Sequence, residues 1–200
     1  MILAIDLELS GCQLDKDNIV AIGWCALHAT TGEVANQGCI SLLTIPGRRA
    51  FEPRCLEQFW RKNTALLLQF TAAAVAPELG IARFFEVLDE LDRDYEVRIV
   101  SDNPSCDIAW LDFYASRFLD RKPICYKNND DRGWRPVYDT DSFARAAAKI
   151  PYRTADTYNS DVMATLNIKP EMIPPHTHHP MQDALSIATL HRLVYLKQYE

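Results

Sequence analysis

Residues 1–12 read MILAIDLELSGC. The run from Ile2 to Leu9 is apolar on both sides, as for a strand at the centre of a sheet, yet it carries Asp6 and Glu8. In a strand, residues i and i+2 point to the same face, so the two carboxylates converge on one patch. Like charges that close raise a carboxyl pKa unless a cation binds between them. Hard divalent ions such as Mg²⁺ and Mn²⁺ take carboxylate oxygens. A solvent-facing strand end would carry the same pair with no ion at all, and D-x-E is a common tripeptide. Other acids have to decide.

The bounds are those of an ordinary globular chain. Two hundred residues fit one domain, residues 1–200, with enough length for a real core. No run reaches transmembrane length, so no membrane partner is expected. No basic region precedes the first apolar stretch and Asp6 interrupts it, which is not a signal peptide. Six cysteines (Cys12, Cys25, Cys39, Cys55, Cys106, Cys125) are scattered without a CxxC pair. They read as reduced thiols of a cytoplasmic protein. A formal net charge of −6 argues against a non-specific nucleic-acid coat protein. It leaves room for an enzyme that holds cations among carboxylates, because bound metal reverses the local field.

Along the chain, residues 2–10, 18–34 and 39–45 read as three strands. The second is closed by the turn TTGE and the third ends at Pro46 and Gly47. Close spacing makes them an antiparallel meander. Residues 57–70 read as helix with a break near Asn63. Residues 77–95 are a clearer helix, with Phe84, Phe85, Leu88 and Leu91 recurring at spacings near three and four. A fourth strand at 97–102 leads into a helix at 106–119. A polar loop, a short extended piece and a helix from about Asp141 follow. Residues 157–180 are mostly loop with a short helix, and 181–198 form the last helix, Pro180 near its first turn. The order fits a single α/β domain.

Asp107 falls just past the fourth strand, and strand ends are where α/β folds place their sites. A helix-dipole partner would sit there too. Asp102 is a cap or a competing ligand, and Asp112 is expected to point outward. Near the C-terminus, HTHHPMQDAL places His178 five residues before Asp183. An imidazole titrates near neutrality, so a histidine beside a carboxylate cluster suits a general base. Asp139 is expected to cap the following helix. Asp156 and Asp161 read as loop acids.

These residues together resemble the DEDDh, DnaQ-like 3′–5′ exonucleases. The match is Asp6 and Glu8 in IDLEL, Asp107 in DNPSCDIAWL, and His178 with Asp183 in HHPMQDAL. Asn103 precedes the second-motif Asp, as in the family. The layout is nearest to compact stand-alone members, the phage exonuclease DexA and small bacterial exoribonucleases, where a Trp-containing helix follows the first three strands as LEQFWRKN does here. Members usually carry Thr after D-x-E; this chain has Leu9 at that nucleotide-contact position. His179 rivals His178 as base, but the H-x(4)-D spacing selects His178.

The resemblance implies a ribonuclease H-like mixed sheet, three antiparallel strands followed by parallel ones, flanked by helices. It implies two divalent cations, Mg²⁺ or Mn²⁺, held by Asp6, Glu8, Asp107 and Asp183 roughly 3.5–4 Å apart, with His178 accepting the proton of the attacking water. Leu9, Trp60 and Asn103 would contact substrate. A base-stacking platform is worth roughly 1–3 kcal/mol per base, and Trp60, Phe59 and Trp134 are candidates; core filling is the competing role for Trp60. Arg61 with Lys62, or Arg132 with Arg135, could offset phosphate charge. The expected substrate is RNA, or short single-stranded 3′ ends of RNA or DNA, cleaved to nucleoside 5′-monophosphates. Many members are dimers, so a homodimer stays open. Two alternatives also stay open: a DNA proofreading exonuclease working with a polymerase, and a catalytically silent nucleic-acid- or protein-binding module on the same fold.

Overall fold

The computed structural model describes residues 1–127, 133–150 and 160–198. Its sheet has five strands in the order β3-β2-β1-β4-β5: β1 (Ile2–Leu9), β2 (Ile19–Leu27), β3 (Val34–Ser41), β4 (Arg98–Ser101) and β5 (Val137–Asp139). The first three pair antiparallel, and β4 and β5 add parallel to β1. β1 is therefore central and buried on both faces. That explains its apolar run, and it makes the two carboxylates conspicuous.

β3 is displaced from the sequence expectation of 39–45. The turn after β2 is tighter than the sequence suggested: His28 N–H donates to the Glu33 carbonyl at 2.9 Å, and Gly32 turns the chain at φ +78°. Val34 is thus already paired opposite Leu27. The strand is used up by Ser41.

Seven α-helices surround the sheet among the described residues. α1 (Pro53–Cys55) is capped by Glu52, which accepts from Cys55 N–H at 3.0 Å, and it continues as a π-helical turn, Leu56–Trp60. The expected break near Asn63 separates this turn from α2 (Thr64–Ala73). α3 (Pro77–Asp94) and α4 (Pro104–Leu119) bury Ile81, Phe84, Phe85, Leu88, Trp110, Leu111 and Tyr114 against Leu3, Ile5 and Leu7 of β1. α5 (Thr140–Ala148) begins at Asp139, whose carboxylate caps Ser142 N–H at 3.1 Å, as expected. α6 (Ser160–Thr165) follows. α7 (Pro180–Lys197) covers the opposite face of the sheet, packing Ala184, Ile187 and Ala188 on Ile2, Ala4, Cys25 and Val100. All six cysteines are free thiols. No helix of the described residues is long and apolar enough to cross a membrane.

Candidate active site

Alternation along β1 builds the site. Odd positions Leu3, Ile5 and Leu7 face α3 and α4, while Ile2 and Ala4 face α7. Asp6 and Glu8 continue the α7-facing row. They meet Asp183 in the first turn of α7, and carboxylate oxygens of all three lie within 4.8 Å of one another. Close approach of α7 requires Gly23, which pairs with Asp6 across the sheet. A Cβ on Gly23 would stand 2.0 Å from the Pro180 carbonyl carbon and 2.3 Å from Met181 N.

Asp107 comes from the other layer. Asn103 is the N-cap of α4 and Pro104 its first residue, so Asp107 sits at the helix start, beside the ends of β1 and β4. The Ser101 hydroxyl donates to its Oδ2. A cleft of about 600 Å³ runs past Asp6, Asp102, Asn103, Asp107, Asp139 and Asp141.

The electrostatics ask for a cation. Burial, then Asp107 and Glu8, push the Asp6 carboxyl well above the usual range. Burial, then Asp183 and Asp107, push Glu8 up to about 8. Burial raises Asp107 to about 7 against the opposing Ser101 hydrogen bond. Asp102 is raised too, chiefly by burial. Asp183 is fully buried; its Oδ1 accepts from Thr177 N–H at 2.8 Å, while its Oδ2 receives no hydrogen bond. Carboxylate oxygens crowded by one another, one of them without a hydrogen bond, are the donor set of a hard divalent ion. The residues therefore fit the ions implied by the sequence.

His178 stands on the loop into α7 with left-handed backbone, φ +63°. Its ring meets Phe59 edge-on at 5.1 Å and His176 at 4.7 Å. A ring nitrogen of His178, one of His176 and an Asp183 oxygen all lie within 4.8 Å of one another. His179 is instead the N-cap of α7, its Nδ1 buried and its ring against Phe70.

Other sequence candidates are placed differently. Trp60 is fully buried, and its indole N–H donates to the Leu9 carbonyl at 3.0 Å. It packs with Phe51, Phe59 and Phe70, so it offers no face to a base and the stacking role is corrected. Leu9 keeps its side chain on a neighbouring depression of about 290 Å³ with Cys12 and Phe59. Asn103 is exposed on the cleft rim, its Oδ1 accepting from Ser105 at 2.8 Å. Arg135 is also corrected: it is buried, ion-paired with Asp92, and donates to the Tyr126 carbonyl at 2.6 Å. Asp112 is not outward, since it accepts from Ile124 N–H at 2.6 Å. Arg61 is exposed and pairs with Glu57 at 2.7 Å. Trp134 is 60% exposed. Arg132 and Asp156 lie outside the described residues. His176 was missed. Its only sequence signal is the alternation H-x-H ahead of the third motif.

No protein-family model matches the sequence, and no curated protein does. Solved structures do. Escherichia coli Exonuclease I in complex with a dT13 oligonucleotide aligns at TM-score 0.68 and 14% identity, over 99% of this chain and 41% of that one. The nuclease domain of 3′hExo, a DEDDh family member bound to rAMP, aligns at 0.60 and 14%, over 99% and 92%. Cell-death related nuclease 4 aligns at 0.65 and 14%, over 98% and 64%. The chain has the DEDDh exonuclease-like, ribonuclease H-like α/β fold.

Proposed function

We propose that this protein is a metal-dependent 3′–5′ exonuclease whose single domain, residues 1–200, acts on the ends of single-stranded RNA or DNA. The observation that carries the reading is the convergence of half-buried Asp6 with buried Glu8 and Asp183, which come from two distant parts of the chain. Asp107 faces the same crevice from the other layer. These four carboxylates would hold divalent cations, Mg²⁺ or Mn²⁺, and the ions when bound supply Lewis acidity at phosphate oxygens.

The chain's own residues do the rest. His178 accepts the proton of an attacking water at a ring nitrogen, the general-base role an imidazole can fill. Water oxygen bonds to the phosphorus of the last phosphodiester, the bond to the preceding 3′ oxygen breaks, that oxygen takes up a proton as the new 3′ hydroxyl of the shortened strand, and a nucleoside 5′-monophosphate is released. Phe59 packs against the imidazole and limits its motion. Asn103 borders the cleft and Leu9 the neighbouring depression, and the terminal nucleotide would lie across them. The solved neighbours support single strands as the substrate class, since Exonuclease I holds a dT13 oligonucleotide.

The test is gel-resolved digestion of 5′-labelled single-stranded RNA and matching DNA with Mg²⁺ or Mn²⁺, beside Asp6→Ala and His178→Ala. A ladder shortening from the 3′ end is expected. Asp6→Ala and EDTA should abolish it, and His178→Ala should slow it roughly 10²–10⁴-fold. The RNA-to-DNA rate ratio assigns the substrate. An inert wild-type chain, with either ion and either strand, overturns the proposal and leaves a binding module.

A further inference from the structure

The donors around Asp183 form two sets of different chemistry. One is all oxygen: Asp6, Glu8 and Asp183. The other is His176, His178 and Asp183, two imidazole nitrogens and one carboxylate oxygen, also within 4.8 Å of one another. Mg²⁺ prefers the first set. Two nitrogens and one oxygen suit Zn²⁺ and its borderline relatives.

One edge of such a site is already at coordination length. Zn–N and Zn–O bonds of about 2.0–2.2 Å put neighbouring ligand atoms of a tetrahedral ion about 3.3–3.6 Å apart. His176 Nδ1 lies 3.2 Å from Asp183 Oδ2, close to one tetrahedral edge. Asp183 is fully buried, and this oxygen is the one that receives no hydrogen bond, because Thr177 N–H occupies Oδ1. His176 keeps 42% of its side chain exposed, so an ion has access from solvent. The two histidine rings stand nearly perpendicular, 85° apart.

We propose that His176, His178 and Asp183 form a Zn²⁺ site that competes with the all-oxygen set and silences the enzyme when filled. Asp183 belongs to both sets. Coordination also removes the lone pair that His178 requires as a base. The inhibitory consequence rests on the exonuclease reading; the binding site does not.

Binding is therefore measured without nucleic acid. The full-length protein is titrated with Zn²⁺ against a chromophoric chelator and, separately, with Co²⁺ by visible absorption. Wild type should bind one Zn²⁺, and Co²⁺ should give the strong absorption of a four-coordinate, nitrogen-ligated ion. His176→Ala should weaken Zn²⁺ binding at least tenfold and lose that absorption. His176→Cys, which puts a thiolate ligand in place of the imidazole, should recover much of the affinity. Circular dichroism checks that each variant is folded. Equal Zn²⁺ affinity in wild type and His176→Ala overturns the site, as does wild type that binds no Zn²⁺. In Mg²⁺-supported digestion, micromolar Zn²⁺ should inhibit wild type and act much more weakly on His176→Ala. Tight Zn²⁺ binding that leaves digestion untouched overturns the silencing. An inert wild type with intact Zn²⁺ binding defeats the exonuclease reading and not the site.

Discussion

Glu8→Gln should stabilise this protein in the absence of metal while abolishing the proposed exonuclease activity. Glu8 is nearly buried, and its carboxyl is pushed from 4.5 up to about 8 by burial and by Asp183 and Asp107. A carboxyl raised in the fold binds its proton more tightly there than in the unfolded chain. The Glu8 contribution to metal-free stability is therefore fully present below pH 4.5 and is lost as pH rises towards 8. At neutral pH the shift corresponds to about 3 kcal/mol of destabilisation. For a chain of this length that is on the order of 6–12 °C in Tm. Glutamine has the same shape and no charge to desolvate, so most of that deficit should vanish at pH 7 and little should change near pH 4.5. The assay is thermal unfolding by circular dichroism in EDTA across that range. Mg²⁺ at a hundredfold excess over its Kd should stabilise wild type by about 2.7 kcal/mol and the variant by much less. A Gln variant no more stable than wild type at neutral pH in EDTA would refute the reasoning, as would a gain that does not depend on pH.

Trp60→Ala should cost roughly 3–5 kcal/mol by emptying a fully buried site, seen as a lower urea midpoint, with activity per folded molecule retained. A selective loss of nucleotide affinity would restore Trp60 as a substrate contact. Arg135→Ala should cost roughly 3–5 kcal/mol, because it leaves the buried Asp92 carboxylate unpaired. Unfolding curves would show it, whereas a salt-dependent loss of substrate binding with unchanged stability would return Arg135 to phosphate recognition.

The two carboxylates of β1 were legible because a doubly apolar strand has no other use for charges at i and i+2. The meander, the long helices and the cap at Asp139 followed from periodicity and turn chemistry. What escaped depends on partners distant in sequence. The pattern of LEQFWRKN cannot tell whether Trp60 turns to solvent or to the Leu9 carbonyl. Arg135 lies in a stretch whose composition says exposed loop, and only its contact with Asp92 on α3 shows that it is an internal brace. The β3 boundary moved because one tight turn shifts pairing by several residues. His176 looked like one more histidine among prolines until α7 placed Asp183 beside it.

Gly23 has no functional group and no place in the chemistry. Yet the backbone of Pro180 lies where its methyl would be, and Pro180 opens the helix that carries Asp183 and follows the histidine loop directly. The tolerance of the whole active centre is thus set by a hollow one carbon wide. A single extra methyl there would act as a shim between strand and helix, parting the acids of β1 from that of α7 without altering any of them.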